Sequence, residues 1–479
     1  MKATSILALA STASAANVAI RAKRHFETES ASEVGLIAKF PLDIAALEQG
    51  ALLAAEPREF VDAFLKEASK KNLAALANIV SIADAVALPI GGAVYFPSAT
   101  KATLDALEAS TVVEYIDLNA ADFTIPEVLK GSDAQEENAT KNEWGVEAIG
   151  APEIWKYSNG KGAIVGSIDS GALHTHEAIK HNWRSELGWF DPYERSALPR
   201  DTSGHGSHTI GTMVGANGIG VAPGAQWIAC IGLNGSSGTS AKLLECAQFM
   251  LCPTKPDGTG ADCKKGPHVV NNSWGSASYT PWFEDAVAAW KAAGIVPIFA
   301  NGNSGTLCAT VGSPGGYKTV IGVGAIGSFT NEKDKLAYFS SKGPQTKNGA
   351  EYFKPDVSAP GFFTRSVGIA NNTAYAQYAG TSMAAPHVAG VVAIIKSVDP
   401  TASYDAVYKY LTATTDQKEL NTTEPETWYL TNNRTLPGAP NCGGVKDTAW
   451  PNNRFGHGRV NIGTILRDGK LNDNRRPTC

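Results

Sequence analysis

Two textures of apolar and polar positions divide the chain. Residues 34–40 form an apolar extended run, and residues 59–77 repeat at helical spacing through Phe60, Phe64, Leu65 and Ala68. Residues 83–96 are β-rich and broken at Gly91-Gly92. Residues 101–108 predict a short helix capped by Ser98 or Thr100, and residues 112–118 a closing strand. The order β-α-β-β-α-β suits a small α+β ferredoxin-like unit. Residues 122–142 then turn polar and acidic, with Asp133, Glu136 and Glu137 and a glycosylation sequon at Asn138. That shift predicts an exposed, cleavable linker.

After Trp144 apolar strands alternate with helices. Strands are predicted at 163–169, 226–231, 268–273, 295–300 and 319–325, and helices at 206–215, 240–251 and 282–293. Repeated β-α units with apolar strands predict an α/β parallel sheet covered on both faces by helices. Such sheets place their chemistry at the carboxyl ends of strands, where Asp169, Ser273 and the Asn301-Gly302-Asn303 turn fall.

Composition narrows the classes. Hydrophobic residues at 43% and charged residues at 18% are globular values, which excludes wholesale disorder. A net charge of −5 without any Lys/Arg run excludes a nucleic-acid surface. No uninterrupted apolar stretch approaches a membrane span. At the N-terminus Lys2, the short apolar run 6–10 and Ala13-Ser14-Ala15 fit a signal peptide over residues 1–15, hence secretion. Secretion permits disulfides, and all seven cysteines lie from Cys230 onward. Cys252 and Cys263 flank a Pro- and Gly-containing loop suited to a covalent clip, and Cys442 could pair with Cys479. Cys230 and Cys246 are equally readable as a bond or as two small buried hydrophobes. The odd count leaves at least one thiol free or intermolecular.

Ser382, in Gly380-Thr381-Ser382-Met383-Ala384-Ala385-Pro386-His387, opens an apolar segment expected to be a buried helix. A hydroxyl there stands beside unpaired backbone N–H groups, where a developing anion is favoured. Alone it would be a helix cap. In Gly204-His205-Gly206-Ser207-His208 the glycines leave the His205 ring accessible as a general base, whereas His208 is read as structural. Asp169, in Ile168-Asp169-Ser170-Gly171, ends a strand where its carboxylate can fix the imidazole tautomer.

These three motifs, in the order Asp, His, Ser, resemble the subtilisin-like serine protease family (peptidase S8); the order is the standard one for that family. The resemblance covers most of the chain from Trp144 to about Leu466 and is closest to the bacillopeptidase F-like branch, through Asn271-Asn272-Ser273-Trp274-Gly275. It implies a serine endopeptidase with catalytic Asp169, His205 and Ser382, and with Asn303 donating to the oxyanion. It implies substrate edges at Ser236-Ser237-Gly238 and Ser273-Trp274-Gly275, with Gly312 at the floor of the first pocket. No acidic side chain lies in those segments, so large hydrophobic residues are expected there. The domain reading is a signal peptide (1–15), an inhibitory propeptide (16–119), a processing linker (120–142) and a catalytic domain (143–479).

The expected partners are protein and peptide substrates and the chain's own propeptide; no nucleic acid or membrane partner is expected, and the chain should be a monomer. No cofactor is expected. A weak calcium site remains open, but His176-Glu177-Ala178 lacks the family's aspartate and the Ala216–Gly220 loop is short, so the usual strong site is expected to be missing. Residues 420–453 are an insertion with sequons at Asn421 and Asn433 and no assigned role.

Two rival chemistries fit poorly. His174, His176, Glu177 and His181 cluster, but a zinc helix needs histidines four apart, and the residue four after His176 is Lys180. An α/β-hydrolase elbow needs Gly two residues after the nucleophile, where this chain has Ala384.

Overall fold

The computed structural model describes residues 16–29, 31–131, 141–347, 349–430 and 434–472. The predicted signal peptide, Asn138, Asn433 and Cys479 lie outside the described residues. The chain forms two compact units. One comprises residues up to Asp43 together with Leu65–Ala120; the other comprises Ile44–Phe64 and Ala121 onward.

The first unit is an α+β sandwich. Its sheet runs Asn17–Val18, Tyr115–Leu118, Val34–Lys39, Ala93–Ala99, Val86–Leu88 in space. Leu36, Ala38, Phe40, Val94, Phe96 and Ile116 bury its inner face. The helix Lys101–Glu108 is capped by Thr100, whose side chain and that of Thr103 each accept the other residue's backbone N–H. The predicted β-rich run 83–96 splits at the 3-10 turn Pro89–Gly91, ending at Gly92 with φ +55°. The sequence pattern missed the helices Ile20–Thr28 and Ile44–Leu53. The second is apolar nearly all round, so its periodicity carries no face.

Two features cut across the expected bounds. Ile44–Phe64, inside the expected propeptide (16–119), groups with the second compact unit. Within that unit Gly50 accommodates the Phe60 ring, which a Cβ would meet at 2.1 Å. The linker was expected to be exposed from residue 122, yet Phe123–Thr124 and Leu129–Lys130 are strands of the second unit and Phe123 is buried.

The second unit is built on seven parallel strands, β1 (Ile164–Asp169), β2 (Trp189–Phe190), β3 (Gln226–Ile231), β4 (Val269–Asn272), β5 (Val296–Ala300), β6 (Ile321–Ile326) and β7 (Val357–Pro360). Their spatial order is β7-β6-β5-β4-β1-β3-β2. β1 is central, with β3 on one side and the succession β4 to β7 on the other. The strand order therefore reverses around β1, which makes its carboxyl end a crevice by topology alone. Packed helices include α1 (His205–Val214), α2 (Ser240–Leu251), α3 (Glu284–Ala292) and α4 (Thr381–Val398). α4 is long and apolar enough to cross a membrane, but 89% of it is buried inside this unit, where it serves as the core helix. β2 and β7 were missed because one has two residues and the other ends in Pro360.

Three disulfides form among the described residues. Cys252–Cys263 is the expected clip, and Cys230–Cys246 resolves the open alternative as a bond between β3 and α2. The Cys442–Cys479 expectation is wrong, because Cys442 is bonded to Cys308 across 134 residues.

Gly390 on α4 tests how closely the core is packed. Alanine would gain about 1 kcal/mol of helix propensity, but its Cβ would lie 2.6 Å from Val221 Cβ and 3.1 Å from the Met213 carbonyl. Overpacking wins. Gly390→Ala, placed in a Ser382→Ala background to prevent self-digestion, is expected to lower stability by about 1–2 kcal/mol in urea unfolding.

Candidate active site

Four segments converge at the carboxyl end of the parallel sheet. β1 ends in Asp169, which is 1% exposed; its Oδ1 accepts the Ser170 N–H at 2.7 Å and contacts His205 Nδ1 at 2.8 Å. His205 is the first residue of α1 and is 3% exposed. The helix begins after Gly204 at φ +86°, a conformation costly for any side chain. Gly206 is held for a different reason, because a Cβ there would meet the Gly171 carbonyl at 2.2 Å. The pair therefore stands at a crossing of two backbones too close for side chains. With Nδ1 facing the carboxylate, Nε2 is the nitrogen left to act as base, and it has no hydrogen-bond partner.

Asp201 organises this corner and was missed in the sequence. Its Oδ1 accepts from Gly204 N at 2.7 Å and from the Ser170 hydroxyl at 2.8 Å. Its Oδ2 accepts from Ser207 N at 2.8 Å and Ser207 Oγ at 2.6 Å. The carboxylate thereby satisfies N–H groups of the first turn of α1 and ties them to the residue after Asp169. An acidic residue four before a Gly-flanked histidine was the available signal.

Ser382 is the second residue of α4 and fully buried. Its Oγ donates to the Ser273 carbonyl at 3.1 Å. The reverse link is set by Pro386, which lacks an N–H and so cannot donate to the carbonyl four residues earlier, that of Ser382. Ser273 Oγ donates to that carbonyl instead, at 2.9 Å. Ser273 and the start of α4 are thus locked by two reciprocal bonds.

Asn303 lies on the loop after β5. Its Oδ1 accepts from Thr381 N at 2.9 Å and Thr381 Oγ1 at 2.7 Å, which fixes the amide and leaves Nδ2 as its donor. Nδ2 donates to the carbonyl of Glu127 at 2.9 Å. Gly380 permits this approach, since a Cβ there would lie 3.0 Å from both Asn303 Nδ2 and Val128 Cγ1.

Residues 123–130 run through this site, with short strands at Phe123–Thr124 and Leu129–Lys130. Ser237 pairs with Thr124 and Gly238 with Phe123, Ser236 accepts from Ile125 N at 2.9 Å, and Gly275 exchanges both backbone bonds with Thr124 at 2.9 and 3.0 Å. Further on, Leu129 and Lys130 pair with Ala379 and Tyr378, just before Ser382. Phe123–Thr124, a strand supplied by the chain itself, thus pairs with Ser237–Gly238 on one side and Gly275 on the other. A cavity of about 300 Å³ opens beside it, bounded by Trp274, Gly275, Gly302, Ser304 and Gly312. Six of the seven residues read as substrate contacts, Ser236, Ser237, Gly238, Trp274, Gly275 and Gly312, fall on these edges or around the cavity, whereas Ser273 is fully buried and bonded to Ser382.

The rival metal cluster does not assemble. His174 Nδ1 contacts the Pro199 carbonyl, His176 Nε2 contacts the Ala374 carbonyl, and Glu177 accepts from the Tyr375 hydroxyl at 2.8 Å. Asn217, in the short loop, donates to the same hydroxyl oxygen at 2.9 Å, so these groups bind one another rather than forming an oxygen cage. Among the described residues the group best placed to hold a metal is Asp62, Cys252 and Cys263, and its sulfurs are already in a disulfide.

The comparisons agree with this geometry. The profile of the Subtilase family matches residues 160–458, more than half of the chain. The chain belongs to the subtilase family. It is similar to bacillopeptidase F of Bacillus subtilis (strain 168), with 36% identity over 67% of this chain but only 22% of that protein. It is also similar to M-protease of Shouchella clausii (strain KSM-K16), with 31% identity over 64% of this chain and 70% of that protein. The crystal structure of fervidolysin from Fervidobacterium pennivorans, described as a keratinolytic enzyme related to subtilisin, shares the fold at TM-score 0.59. That match has 19% identity and covers 90% of this chain and 60% of fervidolysin.

His208, one turn after His205, is fully buried against Tyr378, with Nε2 facing the carbonyls of Thr364 and Ala376. Burial, reinforced by the neighbouring His205, pushes it down to about 3. In the unfolded chain it titrates near about 6.5. The unfolded state therefore binds the proton more tightly, so stability is complete above about pH 6.5 and declines as pH falls toward about 3. Replacing His208 with Phe in the Ser382→Ala chain should flatten that decline by up to about 1.4 kcal/mol per pH unit. Urea unfolding at several pH values between 7 and 4 measures it, and an unchanged slope contradicts the assignment.

Proposed function

We propose that the chain is a secreted serine endopeptidase, made as a zymogen, that hydrolyses proteins through an acyl-enzyme and prefers large hydrophobic residues in its first pocket. One observation carries this reading. The Glu127 carbonyl lies 2.9 Å from Asn303 Nδ2, three residues after a strand held by Ser237–Gly238 and Gly275, and the same amide is bonded through Oδ1 to Thr381, the residue before Ser382. A peptide carbonyl on a fixed amide donor, beside a helix-start hydroxyl, is the arrangement acyl transfer needs.

The Ser382 hydroxyl swings from the Ser273 carbonyl to the free Nε2 of His205, a rotamer change. Nε2 takes its proton as Oγ attacks, and Asp169 stabilises the imidazolium. Asn303 Nδ2 and the Ser382 N–H, in the first turn of α4, hold the oxyanion. His205 then protonates the leaving amine, and water releases the acyl group by the reverse path.

The bond so presented in the chain itself is Glu127–Val128. Cutting there would separate everything up to Glu127, including both parts of the first unit, from the catalytic domain. The Glu127 side chain is exposed, and the cavity residues supply no cation for it. A self-segment that fits the strand edges but not the pocket suits an inhibitor that is cut slowly. Secretion is supported by the N-terminal signal pattern and by the relative named minor extracellular protease Epr, from Bacillus subtilis (strain 168), 31% identical over 63% of this chain.

Full-length wild type and Ser382→Ala are expected to separate cleanly. Wild type should yield an active form beginning at Val128, whereas Ser382→Ala stays uncut and leaves casein intact. Active material beginning at Ala16 or Asn17 would refute the zymogen reading, and casein hydrolysis by Ser382→Ala would refute the mechanism. Asn303→Ala should keep KM and lose about 100- to 1000-fold in kcat. A peptide library profile peaking at Lys or Arg before the cut would overturn the pocket assignment.

A further inference from the structure

The insertion at residues 420–453 reaches the loop that carries Asn303. That loop, from Asn301 to Thr310, lies along residues 339–343. Gly305 N donates to the Phe339 carbonyl at 3.0 Å, Ser341 N to Gly302 at 2.9 Å, Ala309 N to Gly343 at 3.0 Å and Thr310 N to Lys342 at 2.9 Å. The same loop walls the 300 Å³ cavity through Asn301, Gly302 and Ser304. Ala309 holds φ +56°, a strained conformation for a side chain, so the loop's shape must be imposed from outside.

Two independent ties come from the insertion. One is covalent, Cys308 to Cys442. The other is ionic. Glu424 is fully buried and pairs with Lys342, whose Nζ also donates to the loop carbonyl of Thr306 at 2.8 Å. Arg454 pairs with the same carboxylate at 2.6 Å and with Asp447 at 3.1 Å, while Trp428 Nε1 donates to Glu424 at 3.0 Å. Two cations and two carboxylates balance. Burial draws the Lys342 ammonium below its usual range while Glu424 pulls it back. A buried, balanced network of this kind has one geometry, because losing any partner strands a charge.

The geometry points to the 420–453 insertion as a strap that sets the position of the oxyanion donor, with Glu424, Lys342 and the Cys308–Cys442 bond as positioning groups acting through Asn303. This rests on the protease reading of the same site. None of the strap residues touches the reacting atoms; their effect passes along about five residues of loop. A displacement of the order of 1 Å at a reacting group costs up to about 100-fold in rate.

The test is a cycle of full-length chains matured in the ordinary way and counted by a serine-directed phosphonate. Cys308→Ser with Cys442→Ser, and separately Glu424→Gln, are each compared in wild-type and Asn303→Ala backgrounds. We expect kcat to fall about 10- to 100-fold with KM nearly unchanged when Asn303 is present, and little further loss when it is already Ala. Equal losses in both backgrounds, a change in KM alone, or no change overturns the strap. If the variants do not fold, mature wild type is treated with a mild thiol reductant, and mass spectrometry follows opening of Cys308–Cys442. Activity must then fall in step with that bond and return on reoxidation; unchanged activity overturns the proposal. A failure of the underlying reading shows separately, as activity surviving Ser382→Ala.

Discussion

The site depends on the side-chain amide of Asn303 having one orientation. An amide rotated by half a turn would present oxygen to the substrate carbonyl and repel it. Thr381 prevents that rotation by giving both its N–H and its hydroxyl to Oδ1. Thr381 is the first residue of α4, so the same contact seats the helix that carries Ser382. Asn303 and Ser382 are thereby fixed by one residue, Thr381.

From α4 the constraint passes to the sheet. Pro386 frees the Ser382 carbonyl, Ser273 Oγ takes it, and Ser273 follows directly on β4, neighbour of β1 and Asp169. On the other side of β1, Asp201 binds the start of α1 to Ser170. Four groups from distant parts of the chain are therefore related through short backbone and hydroxyl bonds, few of which involve flexible side chains. Such a site is preorganised: it has little freedom left to lose when a substrate strand enters.

What the sequence revealed follows the range of each signal. Asp169, His205, Ser382 and Asn303 each sit in a local motif of glycines and small residues, and those glycines answer to contacts such as 2.2 Å at Gly206. The parallel sheet was legible because its strands are buried on both faces and read as apolar runs. Strands of two residues, or ones ending at proline, carry no such run. Cys308–Cys442 could not be read either, because a sequence separation of 134 leaves pairing to the tertiary fold. Asp201 looked like any turn aspartate until α1 stood beside it.

Residues 123–130 are the most informative failure. The linker expectation rests on the acidic residues that follow, Asp133, Glu136 and Glu137, whereas Phe123, Ile125, Val128 and Leu129 are apolar. They become strands because two open edges, at Ser236–Gly238 and Gly275, each have unpaired backbone groups to satisfy. Backbone pairing is nearly independent of side chain, which is why the sequence of the segment did not announce it. The same indifference lets a protease edge accept many substrates and lets the chain's own segment occupy it. On the proposed reading, selectivity comes from the cavity beside Gly312 and from where the carbonyl comes to rest. The Glu127 carbonyl rests on the Asn303 amide, whose loop is bonded at Thr306 to Lys342 and through it to Glu424.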